Sequence, residues 1–431
     1  MEARVVLISI DGFADFYWRD SRVRIPTLRA LAERGTLAAG MDAVFPTTTW
    51  PTHVSLATGV LPARHGIVAN SILNRKSGEV EDLTGDPVYD AADLLRAPTI
   101  YDCAHAAGLM TAAIDWPATR NSRTLGFNLP FFKDQRVFEA QTLRETWAEL
   151  GALGYPLDRQ GEWAELPKRF MKDAMVGDLA AHVFHEHDPH LLLVHFLSAD
   201  SHQHLYGPRS PEAYWAMEYI DERIGRFLGT LSAAELDRTT IVVVSDHGFL
   251  PVTREIRPNV RLRRLGLLDV SPEGRPGRAD ARFVMNHGAG YVYAGDRRNP
   301  EAVARDLVPE LSALEGVSAV WTAPDYAALG LPTPDENALV GDLLLEAAPG
   351  YCFGNDASGQ DELGTSRYRG THGQRPSEPD NVAFFLAAGP PIRRGEQIGR
   401  ITSRDVAPTI AHLLGVSIDG VTGRLLTEIL A

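Results

Sequence analysis

The residues Arg4–Ile10, RVVLISI, form a nearly continuous apolar run that ends directly at Asp11 and Gly12. Short runs of this kind are typical of parallel strands that are buried on both faces of a sheet. The runs LLLVHFL at 191–197 and TIVVVS at 240–245 have the same character. We therefore predict that the fold is built on a sheet of buried strands to which these three runs contribute.

Helical patterns separate the apolar runs along the chain. The patterns at 26–34 and 98–107 begin with Pro and are followed by Gly, and a long amphipathic pattern covers 211–228. Further apolar runs at 111–114 and 382–387 are predicted to be parallel strands of the same kind. This alternation of strands and helices predicts an α/β fold layered around a mostly parallel sheet.

Two regions interrupt the alternation. The region at about 117–172 is rich in Pro, Gly, aromatic and charged residues, and the region at about 251–281 is rich in Arg, Pro and Gly. We predict a single domain over residues 1–431 in which both regions are insertions that cap a site.

The composition excludes several classes of protein. With 42 basic and 56 acidic residues the formal net charge is −14, which disfavours a protein that binds nucleic-acid polymers. Two cysteines are too few for a disulfide framework or a thiolate metal site. No apolar run approaches the length of a membrane span, and the first residues lack the pattern of a signal peptide. We therefore expect a cytoplasmic protein that is not bound to a membrane.

Three aspartates follow the predicted strands. They are Asp11, Asp200 and Asp246, and His247 adjoins the third. In an open α/β sheet, ligands bind outside the carboxyl ends of the strands, so the three carboxylates are expected at one edge. Any one of these aspartates could simply cap a turn or a helix. Three of them together with a histidine point instead to a metal site, because zinc and manganese accept carboxylate and imidazole ligands.

Two further histidines could extend that site. His204 is four residues after Asp200, so one helical turn could direct both side chains at the same ion. His372 lies in the polar segment Gly-Thr-His-Gly and could supply a ligand from a loop, although it could equally be a solvated side chain. His287, just before a predicted strand, could line a substrate pocket or belong to a structural loop.

The segment FPTTTWPTHVSLATG at 45–59 contains a candidate nucleophile. Three threonines precede Trp50-Pro51, and a helical pattern follows. A hydroxyl at the start of a helix lies beside free backbone N–H groups, which form an anion site, although a threonine there can also serve as a plain N-cap. The chain contains no Gly-x-Ser-x-Gly motif, so Ser-His-Asp hydrolysis is not indicated.

Five motifs occur in a characteristic order: IDGF at 10–13, TTTWPTHVSLATGVLPARHGI at 47–67, DSHQHLYGP at 200–208, SDHG at 245–248 and GTHG at 370–373. This ordered set resembles the alkaline phosphatase superfamily and, within it, the nucleotide pyrophosphatase/phosphodiesterase branch. The likeness runs from near residue 5 to near residue 415, except in the two insertions. It implies a catalytic domain whose central sheet is sandwiched between helices.

The resemblance also implies roles for individual residues. Thr49 would be the nucleophile, because the family places it directly before an aromatic-Pro pair. A first ligand set would hold one ion, and its members are Asp11, Thr49, Asp246 and His247. A second ligand set would hold the other ion, and its members are Asp200, His204 and His372. The two divalent ions are expected to be zinc, with manganese as the alternative.

The sequence departs from the branch at one position. The branch usually has Asn three residues after the nucleophile, where it contacts a phosphoryl oxygen, and this chain has Thr52 there. A threonine hydroxyl can still donate one hydrogen bond to substrate. Arg367 and Arg369, just before His372, are further candidates for substrate binding. A sulfatase would need Cys or Ser in place of Thr49, so that chemistry is not expected.

The expected function is metal-dependent hydrolysis of phosphodiester or pyrophosphate bonds through a phospho-threonine intermediate. Two divalent ions would balance three aspartates and a Thr49 alkoxide, which favours singly charged diesters over dianionic monoesters. The alternatives are a phosphonoacetate hydrolase-like activity, a phosphomonoesterase, or a binding protein that keeps the scaffold without turnover. The expected partner is a small phosphorylated substrate.

Overall fold

The computed structural model describes residues 3–84, 89–272, 274–295 and 299–431. The strands in these ranges are β1 (Arg4–Ile10), β2 (Gly35–Ala38), β3 (Met41–Asp42), β4 (Ser71–Leu73), β5 (Val80–Asp82), β6 (Thr111–Ile114), β7 (Phe127–Leu129), β8 (Leu191–Phe196), β9 (Thr239–Val244), β10 (Leu250–Ile256), β11 (Leu268–Val270), β12 (Pro276–Ala279), β13 (Ala281–Asn286), β14 (Ala289–Ala294), β15 (Val317–Thr322), β16 (Leu343–Ala347), β17 (Gly350–Phe353), β18 (Leu363–Thr365), β19 (Gly370–Thr371), β20 (Phe385–Ala388), β21 (Glu396–Ile398) and β22 (Ile401–Thr402).

The α-helices in the same ranges are α1 (Asp15–Arg19), α2 (Pro26–Glu33), α3 (Thr49–Thr58), α4 (Pro62–His65), α5 (Ala91–Leu94), α6 (Ile100–Ala106), α7 (Gln135–Gln141), α8 (Arg144–Ala152), α9 (Gln160–Trp163), α10 (Arg169–Glu186), α11 (Ser198–Tyr206), α12 (Pro211–Gly229), α13 (Ala233–Leu236), α14 (Pro258–Arg264), α15 (Pro300–Ser312) and α16 (Val406–Leu414). Among the residues described, no helix is both long and apolar enough to cross a bilayer.

The largest sheet of the described chain has the strand order β21-β2-β20-β9-β1-β8-β6-β7. β1 pairs in parallel with β8 and β9, and β6 pairs in parallel with β7 and β8. The predicted α/β fold with a mostly parallel sheet is therefore confirmed. The apolar run at 382–387 was wrongly predicted to be parallel, because its strand β20 is antiparallel to β2 and β9. An apolar run indicates burial on both faces, which is the same for either strand direction.

Helices cover both faces of this sheet. Successive side chains of a strand point to opposite faces. Val6 and Ile8 of β1 belong to one buried cluster with side chains of α2, α10 and α12. Val5 and Leu7 belong to another, with side chains of α6 and α16. Each fully buried aliphatic side chain of this kind contributes about 1.5–3 kcal/mol relative to exposure, so both layers stabilise the sheet.

A second, antiparallel sheet with the order β13-β14-β16-β15 stands beside the first. Asn286 pairs with Ala289, so His287 and Gly288 form the two-residue turn between β13 and β14. The tip of this hairpin reaches the centre of the molecule, where the Gly288 N–H donates to the carbonyl of His372 over 2.6 Å. The second sheet therefore contributes one turn to the neighbourhood of the predicted ligands.

A cavity of about 350 Å³, called the main cavity below, lies where these parts meet. Its walls include Thr49, members of both ligand sets and the hairpin residue His287. The first predicted insertion supplies another wall, through residues that include Phe131, Lys133 and Arg169. That insertion folds into β7, α7, α8, α9 and the start of α10.

The second predicted insertion is placed differently. Among its described residues in 251–281, none lines the main cavity. They form most of β10 together with α14, β11 and β12, and apolar residues such as Ile256, Leu262 and Leu268 are buried against the second sheet and α15. These apolar side chains hold the region in a separate core, so it does not cover the site. The assignment of the whole chain to a single domain stays a prediction.

Candidate active site

Three adjacent strands of the central sheet bring the aspartates together. Asp11 follows β1 directly, Asp246 follows β9 after one residue, and Asp200 lies in the first turn of α11, which begins just after β8. β9, β1 and β8 are neighbours and run in parallel, so their carboxyl ends share one edge. The three carboxylates are buried there, which is the arrangement expected from the strand ends.

Helix α11 carries Asp200 and His204 one turn apart. The N-terminus of this helix is held by Asp173 of α10, whose carboxylate accepts hydrogen bonds from the backbone N–H groups of Leu197 and Ser198 at 2.9 and 2.8 Å. Burial raises the pKa of Asp173 to about 6. The buried carboxylate fixes the direction of the helix, and therefore the positions of both side chains.

The second ligand set converges on one carboxylate oxygen. His204 Nε2 lies 3.1 Å and His372 Nε2 lies 3.7 Å from Asp200 Oδ1. The histidine and carboxylates of the first ligand set also converge, since His247 Nε2 lies 3.3 Å from both Asp11 Oδ1 and Asp246 Oδ2. The structure thus brings the predicted ligands into one neighbourhood.

Each ligand imidazole is oriented by a backbone carbonyl. The Nδ1–H of His204 donates to the Gly370 carbonyl at 3.0 Å, and that of His372 donates to the Thr47 carbonyl at 2.9 Å. The Nδ1–H of His247 donates to the Gly248 carbonyl at 3.0 Å. With the proton on Nδ1, the lone pair of Nε2 faces the carboxylates and is free to bind a cation.

The donor set fits divalent cations. Within the described chain, Asp11 Oδ1, Asp200 Oδ1, Asp246 Oδ2 and His247 Nε2 are buried without a hydrogen-bond partner. Buried polar atoms in this condition are unfavourable unless a charged partner is supplied. Burial, together with the neighbouring carboxylates of Asp246 and Asp200, raises the pKa of Asp11 well above its usual value. Two divalent cations would satisfy these oxygens and nitrogens together.

Thr49 begins helix α3 and its side chain lines the main cavity. The carbonyl of Thr49 accepts a hydrogen bond from His53 Nδ1 at 2.8 Å, one turn further along the helix. Burial lowers the pKa of His53 to about 3, so this ring stays neutral. The helix start therefore holds the Thr49 hydroxyl beside the ligand cluster.

Asn70 was missed by the sequence analysis. Its amide Nδ2 lies 3.4 Å from Thr49 Oγ1, and its Oδ1 accepts a hydrogen bond from the Trp50 N–H at 2.8 Å. The backbone N–H of Asn70 donates in turn to Asn286 Oδ1 at 3.0 Å. Nothing in the sequence around Asn70 indicates this contact, because it depends on how the chain returns after α4.

Two of the three predicted substrate-binding residues lie outside the main cavity. Thr52 is fully buried one turn further along α3, and Arg369 is exposed; neither lines the main cavity. Arg367 does line the cavity, with its guanidinium 4.6 Å from the ring centre of Tyr368. The amide of Asn70 lies beside Thr49 Oγ1, and the Thr52 hydroxyl lies outside the cavity in which it was predicted to donate to substrate.

Arg169 is a second residue that sequence reasoning missed. Its Nη1 lies 3.4 Å from Asp200 Oδ2, on the oxygen opposite the one that faces the imidazoles. Its Nε donates to the carbonyl of Ala164 at 3.2 Å, and its side chain is only 11% exposed. The signal was available, because Arg169 lies in a basic part of the insertion predicted to cap the site.

His65 provides a pH-dependent hydrogen bond to helix α3. Its Nδ1 accepts a hydrogen bond from the Ile67 N–H at 3.2 Å, so its Nε2–H donates to Ser55 Oγ of α3 at 2.9 Å. Burial lowers the pKa of His65 to about 3. In the unfolded chain a histidine has a pKa of about 6.5. Between these values the unfolded chain binds the proton and the folded chain does not.

We therefore expect the free energy of unfolding to fall as the pH decreases below about 6.5. His65 alone contributes up to about 1.4 kcal/mol per pH unit in that window. In His65→Asn the amide oxygen can still accept from Ile67 but cannot titrate. The loss of stability between pH 7.5 and pH 5, measured by urea unfolding, should be about 2 kcal/mol smaller in this variant than in the wild type. An equal loss in both proteins would contradict the assignment.

The comparisons with known proteins identify the family of the chain. Residues 5–375 match the family model described as type I phosphodiesterase / nucleotide pyrophosphatase. The chain is 25% identical to human ectonucleotide pyrophosphatase/phosphodiesterase family member 7 over 440 residues, which cover 98% of the chain and 82% of that protein. It is 29% identical over 259 residues to an uncharacterized pyrophosphatase/phosphodiesterase of Schizosaccharomyces pombe. That match covers 58% of this chain and 46% of the yeast protein.

Solved structures show the same fold. Murine ectonucleotide pyrophosphatase/phosphodiesterase 5 superposes with a TM-score of 0.73 at 21% identity, covering 99% of this chain and 100% of the murine chain. The human protein 5 superposes with a TM-score of 0.72 at 20% identity. The family model confirms the branch expected from the five ordered motifs. The chain therefore belongs to the type I phosphodiesterase/nucleotide pyrophosphatase family of enzymes.

Proposed function

We propose that the protein is a metal-dependent hydrolase that cleaves phosphodiester or pyrophosphate bonds through a phospho-Thr49 intermediate. The observation that carries this proposal is the position of Thr49 in the main cavity, which members of both converging ligand sets also line. An inactive threonine-to-alanine variant of murine family member 5 has been solved in complex with AMP. That description supports both a threonine nucleophile and a small nucleotide-like substrate.

The ligand sets define what each ion would contact. Asp11, Asp246, His247 and the Thr49 oxygen would hold the first ion. Asp200, His204 and His372 would hold the second ion. Zinc fits sites of imidazole and carboxylate, and manganese is the alternative. Two such ions supply Lewis acidity to an entering and a leaving oxygen in phosphoryl transfer.

The protein's own groups position the reaction. Thr49 Oγ1 loses its proton and forms a bond to phosphorus while the bond to the leaving oxygen breaks and that oxygen takes up a proton. The Asn70 amide, beside Thr49 Oγ1, is placed to donate to a non-bridging phosphoryl oxygen. Water then attacks the phospho-threonine, releases the phosphoryl product and restores the Thr49 hydroxyl.

Arg169 favours a second candidate activity, on phosphomonoesters. The four positive charges of two divalent ions would be cancelled by three aspartates and a Thr49 alkoxide. A dianionic phosphoryl group would therefore need an added cation. The Arg169 guanidinium supplies a fixed positive charge at the cavity wall beside Asp200. Lys133 on the same wall adds no net charge, because it is paired at 2.8 Å with Asp82, which is not among the three aspartates counted above. We therefore include monoesters among the candidate substrates.

Removal of metal is expected to abolish turnover. The enzyme is treated with a chelator, dialysed, and assayed with an aryl phosphodiester, an aryl phosphomonoester, a dinucleotide and phosphonoacetate. Activity should fall to the background rate and return with added zinc or manganese. Full activity in a sample shown to hold no metal would contradict the proposal. A preference for the monoester or for phosphonoacetate by orders of magnitude in kcat/KM would assign the alternative substrate class.

A further inference from the structure

His287 is the one ring in the turn of the β13–β14 hairpin, and its backbone is in an unusual conformation. Its φ angle is +61°, in the left-handed region, which is uncommon for residues other than Gly although Asn, Asp and His are enriched there. Such strain persists where the surrounding structure holds it, and it is frequent at functional sites. Here it directs an imidazole into the main cavity.

The turn is held from both sides by hydrogen bonds. The carbonyl of His287 accepts from the Phe353 N–H at 2.8 Å, and the Gly288 N–H donates to the His372 carbonyl at 2.6 Å. The Asn286 side chain bonds the Ser71 backbone on both sides, accepting from its N–H and donating to its carbonyl, each at 2.9 Å. The position of the His287 ring is therefore fixed relative to the second ligand set.

The ring lies against the two histidines of that set. Its centre is 4.6 Å from that of His204 and 4.5 Å from that of His372. One ring nitrogen of each of the three histidines lies within 4.8 Å of the others. Two nitrogen ligands of one zinc ion lie about 3 Å apart, so small side-chain movements would bring all three rings onto one ion.

The ring of His287 has no competing protein partner. Among the described residues, neither of its nitrogens makes a hydrogen bond, whereas His204 and His372 each use Nδ1 for a backbone carbonyl. Both nitrogens of the His287 ring are therefore available to a ligand in the main cavity, which this residue lines.

We infer that His287 is a fourth protein ligand of the ion held by Asp200, His204 and His372. This inference rests on the two-ion site of the proposed function. It makes the two ions chemically different, because three imidazoles would contact one ion and a single imidazole the other. Imidazole ligands favour zinc over the harder cations, so the ion beside His287 would be bound as zinc more selectively than its neighbour.

The test measures metal binding rather than turnover. The apo-enzyme is titrated with zinc in competition with a chromogenic chelator, in the wild type and in His287→Gly. Glycine adopts a positive φ without strain, so the variant should fold with undiminished thermal stability in the absence of metal. We expect one of the two zinc equivalents to bind at least about tenfold more weakly and the other to be unchanged.

Two controls make the titration specific. Asn121→Gly introduces glycine at another position of positive φ, 51°, and Asn121 does not line the main cavity. This control should leave both zinc affinities unchanged. All proteins also carry His182→Gln, because Glu149, His182 and His187 form a separate convergent group near the surface that could bind zinc during the titration.

The outcomes separate this inference from the proposed function. Unchanged zinc affinities in His287→Gly, or an equal loss from both equivalents, would overturn the role of His287. If the wild type binds no zinc, the two-ion site itself fails. His287→Asn also tolerates a positive φ and serves if the glycine variant does not fold. In the cobalt-loaded form, loss of the imidazole should change the visible spectrum, and an identical spectrum would overturn the inference.

Discussion

Replacing Thr49 with alanine is expected to lower kcat toward an aryl phosphodiester by a factor on the order of 10⁵, which is typical for removal of a covalent nucleophile. The helix start that presents Thr49 is held by the buried His53 and by the Asn70 side chain, which accepts from the Trp50 N–H. The fold should therefore survive the change while the reacting oxygen is lost. Steady-state kinetics on protein of known metal content measure the effect.

The matched control is Thr49→Ser, which keeps a hydroxyl on the same helix residue. It should retain activity within about a hundredfold of the wild type, because only a methyl group that orients the hydroxyl is removed. If Thr49→Ala turns over within tenfold of the wild type while holding its full metal content, Thr49 is not the nucleophile. A loss of metal in Thr49→Ala that matches the loss of activity would assign the residue to metal binding alone.

Replacing Lys172 with methionine is expected to lower the free energy of unfolding by about 3–5 kcal/mol, because it leaves a buried carboxylate without its partner. Lys172 Nζ lies 3.1 Å from Asp115 Oδ1, and both side chains are 0% exposed. Burial raises the pKa of Asp115 and lowers that of Lys172, so each group depends on the other for its charge. Urea unfolding monitored by circular dichroism measures the change.

The double variant Asp115→Asn, Lys172→Met tests the cause. Asparagine tolerates the positive φ of 57° at position 115 and carries no charge, so the double variant should recover most of the lost stability. A double variant as unstable as Lys172→Met alone would show that packing, and not an unpaired charge, is responsible. Because α10 also supplies Asp173 to α11, activity is measured on the folded fraction only.

The ends of the buried strands were readable from the sequence because burial on both faces leaves an apolar run that stops where the chain emerges. Asp11 and Asp246 were found in this way, and the structure places both at the predicted edge of the sheet. Asp200 and His204 followed from one helical turn, which is a local regularity. The direction of β20 was wrongly predicted, because an apolar run carries no information on which end of the strand enters the sheet.

Contacts between distant segments could not be read in the same way. From its position in the sequence, Thr52 was predicted to contact the phosphoryl group. In the structure, the Asn70 amide lies beside Thr49. Arg169 reaches Asp200 from an insertion, and His287 arrives on a hairpin of another sheet. Asn70 and Thr49 are 21 residues apart and Arg169 and Asp200 are 31 apart, beyond the reach of a local pattern. The placement of His287 depends on the packing of two sheets.

The sequence by itself determined the α/β fold class, the family branch and a set of candidate cation ligands, because strand burial, helix periodicity and short motifs are properties of neighbouring residues. Only the tertiary structure decided which side chains lie beside Thr49 and which of the two predicted insertions lines the main cavity. It placed Asn70, Arg169 and His287 around Thr49 and the second ligand set, and put apolar residues of the described part of 251–281 in a separate core. The physical reason is that such contacts form between segments distant in the chain. Local sequence patterns do not indicate which distant segments come into contact.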